Sequence, residues 1–308
     1  MSIEIDLEVR EALAGSRPVV ALESTLICHG MPRPDNLDLA FEMERTVRRA
    51  GAVPATIAVI DGQVRVGLDE GRLRRLAEAS DVLKCATRDL PVALATGRLG
   101  ATTVSATSYI AARTGISVMA TGGLGGVHQG AESSMDVSAD LDELARTPVA
   151  VVCCGVKSIL DPARTLERLE TLGVPVIGFG CDELPCFYCA ESGIGVLRID
   201  ELETLCRVIQ TQRALGLRSG IVVAQPPPAE HAMPRSEVDR LVAGARRALL
   251  ESAVRGAVET PFMLRHMAQA SDGATVRLNA ALAIANAGLA ARLAAALATQ
   301  PRQDAAGS

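Results

Sequence analysis

The sequence predicts an α/β fold: a three-layer α/β/α sandwich whose central sheet is mostly parallel or mixed. Three observations carry this reading. Short, almost wholly apolar runs recur at residues 18–22, 55–60, 116–120, 149–154, 175–178 and 220–224, as strands buried on both faces require. Amphipathic stretches of helical period stand between them, joined by short connections. Hydrophobic residues make up 48% of the chain, yet there are only four Phe, two Tyr and no Trp, so the core is aliphatic. With 308 residues and no internal repeat or linker, one catalytic domain is expected over 1–298, followed by a small, polar, flexible tail at 299–308.

In order, residues 7–14 carry a short helical pattern, and 18–23 read as a strand that ends on Glu23-Ser-Thr. A carboxylate at a strand's end stands where α/β folds place functional groups, although a loop or capping acid is the commoner case. Residues 28–34, with Pro32 and Pro34, read as a loop. Asn36 is expected to cap a helix running to residue 50, closed by Gly51. Residues 55–60 form a second strand, and Asp61-Gly62 before Val64 and Val66 signals a hairpin. A helix at 70–79 precedes a short strand at 82–85, which leaves Lys84 and Arg88 near a strand terminus, as site cations or as surface charges. Helices are expected at 90–99 and 103–113, a strand at 116–120, then a glycine loop at 121–130. A short helix at 140–146 leads to the 149–154 strand. A helix at 161–172, stopped by Gly173, leads to the 175–178 strand. After the loop around Cys181, Cys186 and Cys189 come a helix at 202–215, the 220–224 strand and a stiff turn at Pro226-Pro-Pro228. Helices at 235–255, 261–270 and 274–298 follow.

Composition excludes several classes. A formal charge of −5 and a pI near 5.5 argue against nucleic acid or an anionic membrane as partner. The first residues have neither a basic region nor a long apolar run, so no signal peptide is expected. The apolar tract 278–297 is interrupted by Asn279, Asn286 and Arg292 and reads as a buried helix. Eight cysteines in such a chain imply a reducing cytoplasm and free thiols. Cys186 and Cys189 have CxxC spacing, but no second pair is spaced for zinc, so they read as buried loop residues.

The chemistry concentrates between residues 121 and 161. The glycine loop lacks the Gly-Lys-Ser/Thr of a nucleotide-binding loop, and what it offers is backbone N–H groups that can approach an anion, with His128 beside them. Asp136, Ser138 and Asp140 alternate, so in an extended segment they would share one oxygen-rich face suited to Mg²⁺ or Mn²⁺. Helix capping by Ser138 or Asp140 is the alternative. Lys157 follows a strand of Val and Cys. An amine of lowered pKa can form an imine with an aldehyde, and Lys84 is a plausible neighbouring cation, although a phosphate ligand or a surface lysine fits the spacing equally.

Longer motifs join these pieces. Ala21-Leu-Glu-Ser-Thr-Leu-Ile-Cys-His-Gly-Met-Pro32, Gly51-Ala-Val-Pro-Ala-Thr-Ile-Ala-Val-Ile-Asp-Gly62, Gly100-Ala-Thr-Thr-Val104 and Thr121-Gly-Gly-Leu-Gly-Gly-Val-His128 resemble the pseudouridine-5′-phosphate glycosidases. So do Asp136-Val-Ser-Ala-Asp-Leu141, Lys157-Ser-Ile-Leu-Asp161, Leu172-Gly-Val-Pro-Val-Ile-Gly178 and Thr260-Pro-Phe262. The resemblance implies reversible cleavage of the C–C glycosidic bond of pseudouridine 5′-phosphate to uracil and ribose 5-phosphate, by a cytoplasmic homotrimer with a divalent cation, typically Mn²⁺. It implies Glu23 as proton donor, Lys157 as nucleophile and Asp136 as metal ligand. It places Lys84, Val104, Ser138, Ala139 and Asp140 on the substrate, His128 around the phosphate and Asn279 near the base. The chain departs from the family pattern at Cys181, Leu184 and Cys186, at Cys154 next to the lysine strand and at Gln225. The phosphosugar and lysine motifs are intact, and the change is expected in the surroundings of the aglycone. Two alternatives stand beside this one: a C-glycosynthase joining ribose 5-phosphate to another carbon nucleophile such as an aromatic polyketide, and a non-catalytic phosphosugar-binding protein.

Overall fold

The computed structural model describes residues 3–254 and 256–299. Eleven strands form one sheet. Its left half holds β1 (Ile3–Ile5), β2 (Val19–Leu22), β3 (Val53–Ile60), β4 (Gln63–Val66), β5 (Leu83–Cys85) and β6 (Gly100–Thr102). The right half holds β7 (Val118–Ala120), β9 (Ala150–Cys153), β11 (Val176–Phe179), β12 (Leu197–Ile199) and β13 (Ile221–Ala224). The two short strands β8 (Val127–His128) and β10 (Leu160–Asp161) pair separately. The order is β1-β4-β3-β2-β7-β9-β13-β11-β12, with β6 paired to β3 and β5 to β6. From β3 across to β12 every neighbour is parallel. The β3–β4 hairpin and the antiparallel β6 make the sheet mixed.

Helices cover both faces, and the strand period of two shows how. Val20, Leu22, Val118, Ala120, Ala150, Val152, Ile221 and Val223 belong to one core cluster; their neighbours Val19, Ala21, Met119, Val151, Cys153 and Val222 belong to the other. The first face is covered by α2 (Asp35–Arg49), α9 (Leu202–Ala214), α10 (Arg235–Leu250) and α12 (Ala274–Thr299). The second is covered by α1 (Leu7–Ala14), α4 (Leu90–Thr96), α5 (Val104–Thr114), α7 (Ala139–Leu144) and α8 (Pro162–Thr171). A third, smaller cluster packs α3 (Glu70–Glu78) under Ala58, Ile60 and Ala101. The one-turn α6 (Ala131–Ser134) and α11 (Glu259–Ala270) complete the α-helices among the described residues. By length and composition α12 could cross a membrane, but here it lies across β2, β7 and β9. Its alanines at 283, 287, 290, 291 and 294 are buried, and with no side chain beyond Cβ they let helix and sheet approach closely.

Several local expectations are corrected. Asn36 is not a cap: Pro34 precedes α2, and the buried Asn36 amide donates to the Ile27 and Ala77 carbonyls at 3.0 Å each. Residues Leu26–Gly30 form a π-helical turn, not a loop, because the prolines stand just beyond it. The helix expected over 90–99 ends at Thr96, and Gly100–Thr102 is a strand. Helix α10 stops at Leu250 and α11 begins at Glu259. Of the tail expected over 299–308, only Thr299 lies within the described residues, as the last residue of α12.

Candidate active site

Parallel strands end on one edge of a sheet, and here four adjacent strands deliver chemistry to it. Glu23 follows β2, Thr121 follows β7, the Cys154–Lys157 segment follows β9 and Gln225 follows β13. Glu23, Lys84, Lys157 and Asn279 border one cavity of about 40 Å³, together with Thr25, His29, Gly122, Gly123 and Phe187. Four of the residues singled out from sequence therefore meet at one point, although they stand up to 256 positions apart (279 − 23).

The carboxyl of Glu23 is 6% exposed and held at both oxygens. The Thr121 hydroxyl donates to Oε1, and Thr25 Oγ1 contacts Oε2. Thr25 is itself anchored to the Thr102 carbonyl at 2.8 Å, and β6 is in turn tied to β3 and Ser24. The missed strand β6 thus supports the acid.

The glycine loop holds the lysine. Leu124 N–H donates to the Gly155 carbonyl at 2.9 Å and Lys157 N–H to the Leu124 carbonyl at 3.2 Å, so the two loops are zipped together. No Cβ fits on Gly123, where it would stand 2.5 Å from the Phe187 ring, so glycine lets that ring close against the loop. Phe187 itself has φ of 63°, which is rare for a bulky side chain, and its N–H donates to the Cys154 carbonyl at 3.0 Å. Several loop donors are already committed: the N–H groups of Leu124, Gly125, Val127 and His128 all bond within the protein. The loop is therefore a narrower anion cradle than its glycine count suggested.

Asp136, Ser138 and Asp140 do not form one extended face. Ser138 caps α7, and Asp140 lies in its first turn. Asp140, 5% exposed, accepts the Ser105 N–H at 2.9 Å and the Gly125 N–H at 3.0 Å, bracing the start of α5 against the glycine loop. Asp136 instead meets His128, with Nδ1 and Oδ2 3.6 Å apart. Glu259 joins them, and the ligand atoms of His128, Asp136 and Glu259 all lie within 4.8 Å of one another. One imidazole nitrogen and two carboxylate oxygens are a donor set that fits a divalent transition ion such as Mn²⁺ better than Mg²⁺, which prefers oxygen alone. Burial holds His128 below the ordinary histidine range despite Asp136 and Glu259 nearby, which favours the neutral ring that a metal requires. Val104 and Ala139 open α5 and α7; Val104 is buried and borders neither cavity.

Burial, and then the charge of Lys157, hold Lys84 below the ordinary lysine range; Asp140, Glu23 and Asp136 oppose this. The two lysines therefore stand near each other, both bordering the smaller cavity, and the His128–Asp136–Glu259 cluster is close enough for Asp136 to act on Lys84. A second chamber of about 340 Å³ shares His29, Gly30, Pro261, Leu264 and Asn279 with the first, and adds Tyr188, Arg265 and Thr275. Sequence reasoning missed Thr25, Thr121, His29 and Glu259. Thr25 and His29 stand in the Glu23 motif and Glu259 directly precedes Thr260-Pro-Phe262, so the signal was adjacency. Cys186 and Cys189 are free buried thiols in a loop, as expected.

Residues 8–296 match the family model described as indigoidine synthase A like protein. A pseudouridine-5′-phosphate glycosidase of Petrotoga mobilis is 46% identical over 293 residues, covering 95% of this chain and 96% of that one. One of Salinispora tropica is 51% identical over 296 residues, covering 96% and 91%. Among solved structures, the prealnumycin C-glycosynthase AlnA in complex with ribulose 5-phosphate superposes with a TM-score of 0.89 at 37% identity, covering 96% of this chain and 97% of that one. An indigoidine synthase A-like protein of Thermotoga maritima gives 0.87 at 35%, covering 96% of each.

Proposed function

Because this chain belongs to the indigoidine synthase A like family and to the pseudouridine-5′-phosphate glycosidases within it, we propose that it makes and breaks the C–C bond between C1 of ribose 5-phosphate and C5 of uracil. The observation that carries the reading is the meeting of Glu23, Lys84 and Lys157 around one cavity at the strand ends. An ordinary glycosidase protonates a heteroatom leaving group, which a C-glycoside lacks. In the synthetic direction the Lys157 amine condenses with the C1 aldehyde of the open sugar and releases water. C1 of the imine accepts an electron pair from uracil C5, and C5 gives up its proton. The C1–N bond breaks as the sugar oxygen closes the ring and frees the lysine; cleavage runs the same steps backwards, the bond pair returning to C5. Glu23 moves the proton between the sugar oxygen or uracil carbon and itself. Thr25 Oγ1 bridges Glu23 Oε2 and the Thr102 carbonyl, and with Thr121 it fixes the position of the carboxyl at the cavity.

Lys84 attracts the phosphosugar anion, and the Ser138–Asp140 turn with the start of α5 bounds its other side. A divalent cation, Mn²⁺ by family resemblance, would be held by Asp136 with His128 and Glu259, and would supply positive charge beside the phosphosugar. A cytoplasmic homotrimer belongs to the same proposal, with light scattering as its check.

The test is direct. Ribose 5-phosphate with borohydride should add the mass of the reduced sugar to wild type and not to Lys157→Ala; absence of the adduct overturns the imine and favours a mere phosphosugar binder. Adding uracil and Mn²⁺ should yield pseudouridine 5′-phosphate. An adduct without that product would favour the second reading, a C-glycosynthase for another carbon nucleophile. Its support is the likeness to AlnA, together with Tyr188 on the larger chamber, in the loop where Cys186 departs from the family pattern.

A further inference from the structure

Cys186 and Cys189 have no part in the catalytic reading, yet they are the two ends of one turn. The turn closes as an antiparallel bridge, in which the Cys186 N–H donates to the Cys189 carbonyl at 3.0 Å. Partners in such a bridge stand about 4.5–5.5 Å apart at Cα, within the span of about 4.4–6.8 Å that a disulfide joins. Both thiols are free. Both border a cleft of about 200 Å³ between this turn and α10, which shares no lining residue with either chamber. Ser158, Arg235 and Arg246 line the same cleft. The two thiols are not equivalent. The Cys186 thiol beside it, and then the charge of Arg235, hold Cys189 below the ordinary thiol range against burial. Cys186 is pushed well above that range, by Cys189 and then by burial.

The turn is wired to the residues around Lys157. Ser158 Oγ donates to the Cys186 carbonyl at 2.6 Å and accepts the Tyr188 N–H at 3.4 Å. The Phe187 N–H donates to the Cys154 carbonyl, and Gly155 bridges Cys186. Between the cysteines, Phe187 borders the catalytic cavity with its ring closed against Gly123.

We propose that Cys186 and Cys189 form a reversible dithiol–disulfide couple, oxidised by a small disulfide at the cleft, and that its closure slows the chemistry at Lys157. The Cys189 thiolate attacks one sulfur of the oxidant, whose S–S bond breaks to release one thiolate. Cys186 then gives up its proton and attacks the Cys189 sulfur, which releases the second thiolate. The two released thiolates take up the two protons that the cysteines lose, so the oxidant leaves as two thiols. Side chains directly opposite in a bridge stand about 4.5–5.5 Å apart at Cβ, and a disulfide needs about 3.5–4.5 Å. The turn must therefore tighten by on the order of 1 Å, and Phe187 at its tip has no slack against the glycine loop.

The experiment treats wild type, Cys186→Ala and Cys189→Ala with glutathione disulfide, alkylates the remaining thiols and weighs the tryptic peptide Leu169–Arg198. That peptide holds Cys181, Cys186 and Cys189. In wild type it should lose two hydrogens and carry a single alkyl group, on Cys181, and dithiothreitol should reverse the loss. Cys186→Ala should stop at a glutathione adduct on Cys189, and Cys189→Ala should show neither adduct nor disulfide. Borohydride trapping of ribose 5-phosphate, a readout that rests on the catalytic reading above, should slow about tenfold to a hundredfold in oxidised wild type. It should not slow in oxidised Cys189→Ala. Absence of the Cys186–Cys189 disulfide in wild type, unchanged trapping once it has formed, or equal slowing in Cys189→Ala overturns the proposal. A reduced wild type that traps no sugar overturns the catalytic reading and the slowing with it, and the wild-type peptide masses still decide the couple.

Discussion

Replacing Asn286 should unseat the catalytic edge of the sheet from the helix beneath it. Its side chain is 1% exposed in the middle of α12. The amide nitrogen donates to the Thr121 carbonyl at 2.7 Å and to the Gly122 carbonyl at 3.2 Å, and the amide oxygen accepts from Gln225 Nε2 at 2.7 Å. One side chain therefore joins α12 to the residues that follow β7 and β13. Asn286→Ala removes two donors and an acceptor from a site where water does not replace them. Each of the three stranded groups costs about 1–3 kcal/mol, so the sum before relaxation is about 3–9 kcal/mol, a large fraction of the roughly 5–15 kcal/mol that holds a domain folded. Asn286→Asp changes shape least yet points an acceptor at the Thr121 carbonyl, so it should be no better than alanine. Urea denaturation with unchanged m-value should show a midpoint shift of this size, and borohydride trapping at a temperature where the variant is folded should be slower, because Thr121 also holds Glu23. A loss below about 1 kcal/mol, with normal trapping, would refute the reasoning.

Glu23→Gln keeps the size and both threonine contacts but cannot transfer a proton, so kcat should fall about 10²–10⁴-fold with little change in sugar affinity, read by steady-state kinetics. Lys84, its charge disfavoured by burial and Lys157, should lose that charge below the ordinary lysine value of 10.5. Ribose 5-phosphate affinity, measured by equilibrium dialysis in a Lys157→Ala background, should therefore weaken as pH rises toward that value, and Lys84→Arg should abolish the decline. Glu259→Gln should weaken Mn²⁺ binding about tenfold or more by electron paramagnetic resonance of the free ion, and binding by the wild type should fall off at a lower pH than an ordinary histidine ligand would give, because burial lowers the His128 pKa. Gly125→Ala should abolish activity, since the new Cβ would stand 2.6 Å from Asp140 Oδ2 and closer still to Ser138 Oγ.

The long buried strands were legible because a parallel sheet covered on both faces demands unbroken apolar runs, and Ala150–Cys153 and Ile221–Ala224 are of that kind. The strand β6 was not, because three small residues between two helices carry no period; only its pairing with β3 and β5 makes it a strand. Glu23 and Lys157 could be read as strand-end residues from the chain alone. The shared face of Asp136, Ser138 and Asp140 could not survive, because Ser138 capping α7 turns the backbone from extended to helical between them. Glu259 was invisible for a different reason: a carboxylate opening a helix is common, and only its approach to His128 and Asp136 makes it unusual.

The two halves of the site differ in how deeply they are built into the molecule. Glu23, Thr121 and Lys157 hang from the most buried strands, whereas the far chamber borrows Pro261, Leu264, Arg265 and Ala268 from α11, a helix with only Met263 and Met267 buried. Redrawing that wall touches little of the core, while redrawing the sugar half would unpick the sheet. Exchange of one carbon nucleophile for another is therefore confined to the far part of that wall, Arg265 and Ala268 with Tyr188, because Glu259, Pro261, Leu264 and Phe187 serve the sugar half as well. The same asymmetry tells a protein engineer which positions to randomise and which to leave alone.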